Sequence, residues 1–291
     1  MQFCHADDYL IYPENITDKL SIDEVSLSKG ELYTFVTNKN MKVKNKKCVV
    51  AVINTTEAKV IQEILEKIPI EKRNMVKEVT MDMARNMALA VENCFPNAKK
   101  VIDRFHAVKL ILDAMQHLRI KHRWEAIEQE NCAIELAKKT GIKHVPQLLS
   151  NGDTIKELLV RSRYLLYRYH QDWTSNQSKR AAILFEKFPL LKEAYHLCLS
   201  FRNFYRNTSK DIAIEHFEQW KKDVEVSIIE EFNTAVNSLE YHMENLLNFF
   251  DNRSTNANAE SFNAKIKAFR ANLRGVSDVK FFLFRLEKLF A

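Results

Sequence analysis

Three acidic side chains stand in places where their neighbours make them unusual. Asp23 lies inside SIDEVS, Asp82 in VTMDMA, and Glu260 in the stretch STNANAESFNAKIKAFR. Carboxylate oxygens are hard donors, the ligands that magnesium and manganese prefer. Two such ions held ~3.5–4 Å apart can activate a water and stabilise a leaving oxygen in phosphodiester cleavage. An aspartate beside Ile22 in an apolar strand is costly unless something positive meets it. Each acid also has a plainer reading. Asp23 could face water on an edge strand, Asp82 could cap the helix MARNMALAV, and Glu260 could sit on a solvated helix face. The metal chemistry requires the three to be gathered, so the elements that carry them decide.

Those elements read as a mixed sheet followed by helices. KLSIDEVSLS alternates like a strand, ELYTFVTN follows a turn at Lys29-Gly30, and KKCVVAVIN is a nearly continuous apolar run expected of a buried strand. TTEAKVIQEILEKI has helical spacing with Thr55 or Thr56 as its N-cap and Pro69 as its stop. A strand VKEVTMD, a helix ARNMALAVENCF and a strand KKVIDRF complete a sheet with helical crossovers. Asp82 thereby falls at a strand end, where side chains of α/β sheets converge on a crevice. From His106 to Phe250 helical periodicity takes over, and this block reads as an insertion ahead of the final helices. The expected division is 1–105, an inserted all-α domain 106–250, and 251–291 completing the first part.

On the late helix, at about 100° per residue, Asn256, Glu260, Asn263 and Lys267 share one arc of roughly 60°. Phe262, Ile266, Phe269 and Leu273 occupy the opposite side, so the helix packs on a core and presents Glu260 away from it. After the fifth strand, DRFH places Asp103 and His106 near the same crevice. Asp103 could ligate a metal in place of Asp82 or orient a ligand, and His106 could move a proton or touch DNA. An Asp103–Arg104 ion pair and a helix-capping His106 are the alternatives. In the helical block, RSRYLLYRYH and SFRNFYRN interleave arginines with aromatics, a pattern suited to nucleic acid. Helix packing is the main role expected of that spacing.

Composition narrows the class. With four glycines and five prolines among 291 residues, a turn-rich all-β protein is excluded and long helices are expected. No apolar run of membrane-spanning length occurs, the beginning lacks a secretory pattern, and the five cysteines form no C-x-x-C pair. A reducing cytoplasm follows as the expected location, without membrane association. The net charge of +6 is compatible with a polyanionic partner. From Asp251 onward eight Lys/Arg face four acids, which concentrates that charge near Glu260.

Taken in order, LSIDEVSLSKGELYT, VKEVTMDMARNM, VIDRFHAVKL and NRSTNANAESFNAKIKAFR resemble the DDE transposases of bacterial insertion sequences, specifically the ISL-three group. The resemblance implies an α/β RNase H-like fold with a large all-α insertion before the last catalytic carboxylate. It implies Asp23, Asp82 and Glu260 as the catalytic, metal-holding triad with two Mg²⁺ or Mn²⁺ ions. Cleavage at transposon ends and 3′-hydroxyl strand transfer into target DNA would be the reaction, carried out by a homo-oligomer in a synaptic complex. Lys267 matches a lysine that follows the glutamate in several transposases and would hold DNA, joined by Asn256, Asn263, Lys265 and Arg270. The end-recognition module usual in relatives has no counterpart before Asp23, so either a separately encoded module or a truncated copy is expected. A nuclease of the same fold that cuts without joining, or an inactive DNA-binding remnant, are the alternatives.

Overall fold

The computed structural model describes residues 9–27, 30–40, 47–255, 257–273 and 278–290. They form two compact units: one ends at His106 and resumes at His242, and the other runs from Ala107 to Tyr241. The stretch from His242 to Phe250 thus clusters with the sheet.

The first unit is built on six strands: β1 (Tyr9–Ile11), β2 (Lys19–Ser26), β3 (Leu32–Asn38), β4 (Val49–Ile53), β5 (Glu78–Met81) and β6 (Lys99–Ile102). Their order is β1-β4-β3-β2-β5-β6. β2, β3 and β4 pair antiparallel, whereas β5 runs parallel to β2 and β6 parallel to β5. Gly30 takes φ +77° between β2 and β3, a conformation that L side chains resist. Lys29, the other turn residue expected there, lies outside the described residues. β1, an edge strand of three residues beside β4, was not visible in the sequence pattern.

Helix α1 (Ala58–Leu65) follows β4, α2 (Ile70–Arg73) follows Pro69, and α3 (Arg85–Cys94) crosses from β5 to β6. The expected threonine N-cap of α1 is corrected. Glu57 occupies the cap without a side-chain bond, and Thr55 Oγ1 accepts the Glu57 amide at 3.1 Å one step earlier. The α1 chain turns out of its helix at Glu66, before Pro69 is reached. α1 and α3 pack on one another and against β4, β5 and β6.

The second unit has helices and no strand among its described residues, with a non-helical stretch between Thr140 and Ile155. α4 (Arg104–Thr140) enters it, followed by α5 (Ile155–Arg161), α6 (Ser175–Lys187), α7 (Pro189–Phe204), α8 (Lys210–Ser227) and α9 (Asn233–Tyr241). Capping boxes at Thr154 and Thr174 satisfy the first amides of α5 and α6. Phe201, Phe204, Phe217 and Trp220 form its aromatic core, with the Trp220 indole donating to the Leu197 carbonyl at 2.9 Å. Asp153, 1% exposed, is neutralised by Arg161 and Arg180.

The chain returns to the sheet through α10 (Met243–Leu247), α11 (Phe249–Asn252), α12 (Ala257–Asn272) and α13 (Val279–Phe290). α12 meets β2 and α13 meets β1. Phe262 and Ile266 of α12, with Phe282, Leu283 and Leu286 of α13, bury against Val25, Tyr33, Phe35, Val49 and Val52 of the sheet. Phe262 lies edge-on to Phe35 at 6.0 Å, and Phe282 edge-on to Tyr33 at 5.8 Å. Burying such rings stabilises by about 1.5–3 kcal/mol each, which is why the apolar side of α12 faces inward. The split read from its sequence is observed: Phe269 and Leu273 also pack on this core, while Glu260 and Lys267 are exposed.

Candidate active site

Strand alternation puts Lys19, Ser21, Asp23 and Val25 on one face of β2, and Leu20 and Ile22 on the other. In the parallel pairing with β5, Lys19 is opposite Glu78 and Ser21 opposite Thr80. The same alternation carries Asp82, two residues past Thr80, onto the face and level of Asp23. β6 places Val101 beside Thr80, so Asp103 comes level with Asp82 on this face. Asp23 at the centre of β2 is thereby level with Asp82 and Asp103, which follow the ends of β5 and β6, under the layer that contains α12.

Asp23 is half-buried. Its Oδ1 accepts the Glu24 amide at 2.9 Å and its Oδ2 accepts Asn263 Nδ2 at 2.6 Å. Burial raises its pKa to about 6; the nearby His106 opposes that shift and the Asp82 carboxylate adds to it. Asp82 Oδ1 accepts the Ala84 amide at 2.8 Å and shapes the turn into α3, whose formal N-cap is Ala84. The N-cap expected of Asp82 is thus corrected: it bonds the amide of the cap residue and does not occupy the cap itself. Asp103 is 2% exposed, and its Oδ2 is buried with no hydrogen-bond partner. Its Oδ1 accepts the Phe105 amide at 3.4 Å, and its carbonyl takes the His106 amide at 3.1 Å. His106 thus sits in the first turn of α4, within electrostatic reach of Asp23.

Glu260 lies one helical turn before Asn263 on α12 and is exposed. Lys267 lies one turn after it, also exposed, as is Lys265. Arg270, expected among the DNA contacts, is instead 4% exposed and committed to the core. Its Nε and Nη2 grip Glu31 at 3.0 and 2.6 Å, and its guanidinium lies 5.2 Å from the Phe282 ring centre. Asn256 lies outside the described residues.

Sequence reasoning overlooked three residues here. Glu78, 4% exposed, faces Lys39 at 3.5 Å and Lys19 at 3.8 Å, and accepts Asn252 Nδ2 at 3.0 Å. Lys39 also feels the charge of Asp103; burial lowers its pKa and Glu78 opposes this. A polar column thus runs beneath the aspartates. The signal was the alternation itself, since Glu78, Thr80 and Asp82 are polar between Val79 and Met81. His242 is the third: burial lowers its pKa, countered by a hydrogen bond to the Met83 backbone and by Asp82. No periodicity marks it.

Among the described residues, no three His, Cys, Asp or Glu side chains come close enough to hold one metal ion together. The donor chemistry nevertheless suits a hard cation. Asp23 and Asp82 are paired acids whose mutual repulsion a cation would relieve, and the buried oxygens Asp103 Oδ2 and Asn263 Oδ1 lack donors.

The strand order, the parallel β5 and β6, and the helical unit entered after β6 define an α/β RNase H-like fold with a helical insertion. A family model described as a transposase, that of the ISL-three group of DDE transposases, matches residues 20–286, and the chain belongs to this family. No curated protein and no solved structure matches it. No helix of the described residues is long and apolar enough to cross a membrane.

Proposed function

We propose that this transposase cuts DNA at transposon ends and joins the freed 3′-hydroxyl to target DNA, with Asp23, Asp82 and Glu260 as its catalytic carboxylates. The observation that carries the reading is the juxtaposition of Asp23 and Asp82 on neighbouring parallel strands, with α12 tied to Asp23 through Asn263. Asp23 and Asp82 would hold two Mg²⁺ or Mn²⁺ ions, and Glu260 would complete the set from α12. Bound there, such ions lower the pKa of the attacking oxygen and offset charge on the phosphate.

The chain's own residues do the rest. Asn263 orients the Asp23 carboxylate. Asp103, buried with its Oδ2 lacking a donor, supports the ligand set from the next strand, and His106 sits where a proton could be passed. Lys267 and Lys265, both exposed on α12, would hold the DNA backbone through charge-assisted contacts. As domains, the sheet unit that ends at His106 and resumes at His242 would be the catalytic core, and residues 107–241 the insertion. A synaptic homo-oligomer completes the reading.

The test is divalent-dependent joining of oligonucleotides bearing the element's ends to a plasmid. Joining by the parent chain and none by Glu260→Gln is the expected result. Cutting without joining would replace this reading with a nuclease. Silence from both proteins, with any neighbouring gene product added, would leave a DNA-binding remnant.

A further inference from the structure

The arginines of the helical unit fall into two kinds. Arg161 and Arg180 are neutralised by Asp153. Arg119, Arg123, Arg163, Arg168, Arg202 and Arg206 have no ion pair among the described residues, although three of them, Arg119, Arg123 and Arg163, crowd together. Arg119 on α4 is 5% exposed. It donates from Nε to Gln116 Oε1 at 2.6 Å and from Nη1 to the Leu159 carbonyl at 2.8 Å, neutral acceptors both. Burial lowers its pKa, and the like charges of Arg163 and Arg123 push the same way. Arg123, one turn along, keeps its Nε buried without a partner.

Aromatic rings lie under these guanidiniums. Arg163 sits 5.4 Å from the centre of the Tyr164 ring, and Tyr164 is 69% exposed. Arg202 donates to the Tyr167 carbonyl at 2.7 Å, and Arg202 and Arg206 lie 4.8 and 5.4 Å from the Tyr169 ring. Tyr167 also bears electrostatically on Arg119, which links the two groups. Asp172 is the nearby acid; it acts with Arg202 on Tyr195. Packing accounts for Leu165 and Leu166 of this segment, both buried, and leaves Tyr164 and the arginines unexplained.

Guanidiniums without carboxylates are complementary to phosphates, which accept two of their donors at once. An exposed ring beneath an arginine can stack a base only if that base is unpaired, because a duplex hides the faces of its bases. We propose that this face of the helical unit binds an unpaired stretch of DNA, phosphates on Arg123, Arg163, Arg202 and Arg206 and a base on Tyr164. The choice of DNA rests on the transposase reading; the geometry carries the preference for an unpaired strand.

The test measures fluorescence anisotropy of a labelled single strand, and of its duplex, with the full chain in chelator so that no strand chemistry intervenes. The single strand should bind more tightly. Tyr164→Ala should weaken it at least about fivefold while barely moving duplex binding, as loss of one stacked base does. Arg163→Ala with Arg206→Ala should flatten the dependence of log affinity on log salt by roughly one unit per lost phosphate contact. All three residues are exposed, so unchanged melting would certify the fold. Parent-like binding by these variants, or equal competition by inorganic polyphosphate, would overturn the proposal. Loss of joining activity in Glu260→Gln bears on the other reading alone. A chain that never joins DNA yet loses strand binding on Tyr164→Ala would sink that reading and keep this one.

Discussion

Asn263 donates its amide to Asp23 Oδ2 at 2.6 Å across 240 residues of sequence, and this bond ties the polar side of α12 to the centre of β2. Everything α12 brings, Glu260 one turn before and Lys267 one turn after, is located by it. Removing a group that orients a metal-binding carboxylate typically costs about 10–100-fold in metal affinity or activity. Asn263→Ala should therefore slow joining by about that factor and raise the Mn²⁺ concentration needed for half-maximal rate. Thermal melting should change little. An unaltered Mn²⁺ titration would show that Asn263 plays no part in the site.

Asp23 sets a pH dependence. Burial, with the Asp82 charge added and His106 opposed, raises its pKa to about 6. In the unfolded chain it returns to about 3.9. Between those values the native state binds the proton more tightly, so stability falls as pH rises through this window and is fully present below it. In chelator, Asp23→Asn should flatten the melting curve against pH and gain up to about 2 kcal/mol above about pH 6, less what residual solvent screens. Parallel pH profiles for the parent and variant would refute the assignment.

Arg270 and Glu31 form a bidentate pair under Phe282. Truncating one partner leaves a buried charge alone, at a cost of about 3–5 kcal/mol. Arg270→Ala should lower the denaturant midpoint accordingly. Lys267→Ala should leave that midpoint within about 0.5 kcal/mol and weaken DNA binding instead, as a surface change does. The reverse pattern in the two variants would restore Arg270 as a DNA contact.

Beneath the aspartates, Lys39 and Glu78 are coupled. Lys39→Met should destabilise by about 3 kcal/mol, because Glu78 is left with the more distant Lys19. Adding Glu78→Gln should recover much of the loss. A double-mutant cycle by chemical denaturation reads the coupling, and additive effects would mean the two do not act as a pair.

How far these features were legible in the sequence depends on distance along the chain. The alternation of β2 and β5, and the two sides of α12, were open to inspection because a single element's periodicity encodes them. β1 was not, since three residues are too few to establish a period. Arg270 borders the apolar arc of its helix, and only Glu31, 239 positions away, settles that it turns inward. Asp103 was legible as a neighbour of the site from its strand, whereas the missing donor to its Oδ2 depends on side chains from separate strands. Alternation along β5 marks Glu78, but its pairing with Lys39, just past β3, follows only from the registers of β2 against both β3 and β5.

The apolar half of the sheet face, Val25, Tyr33, Phe35 and Val52, is roofed by helices that leave the ribosome more than two hundred residues after β2. Until α12 and α13 emerge, a nascent chain displays a sticky, unroofed sheet for the length of synthesis of the entire helical unit. Contacts of such long sequence separation form slowly, and exposed strands invite aggregation meanwhile. The helix that delivers Glu260 is also part of the roof that makes the sheet soluble. A message cut short before this point would yield a chain cleared by quality control, rather than a folded protein able to grip DNA without cutting it.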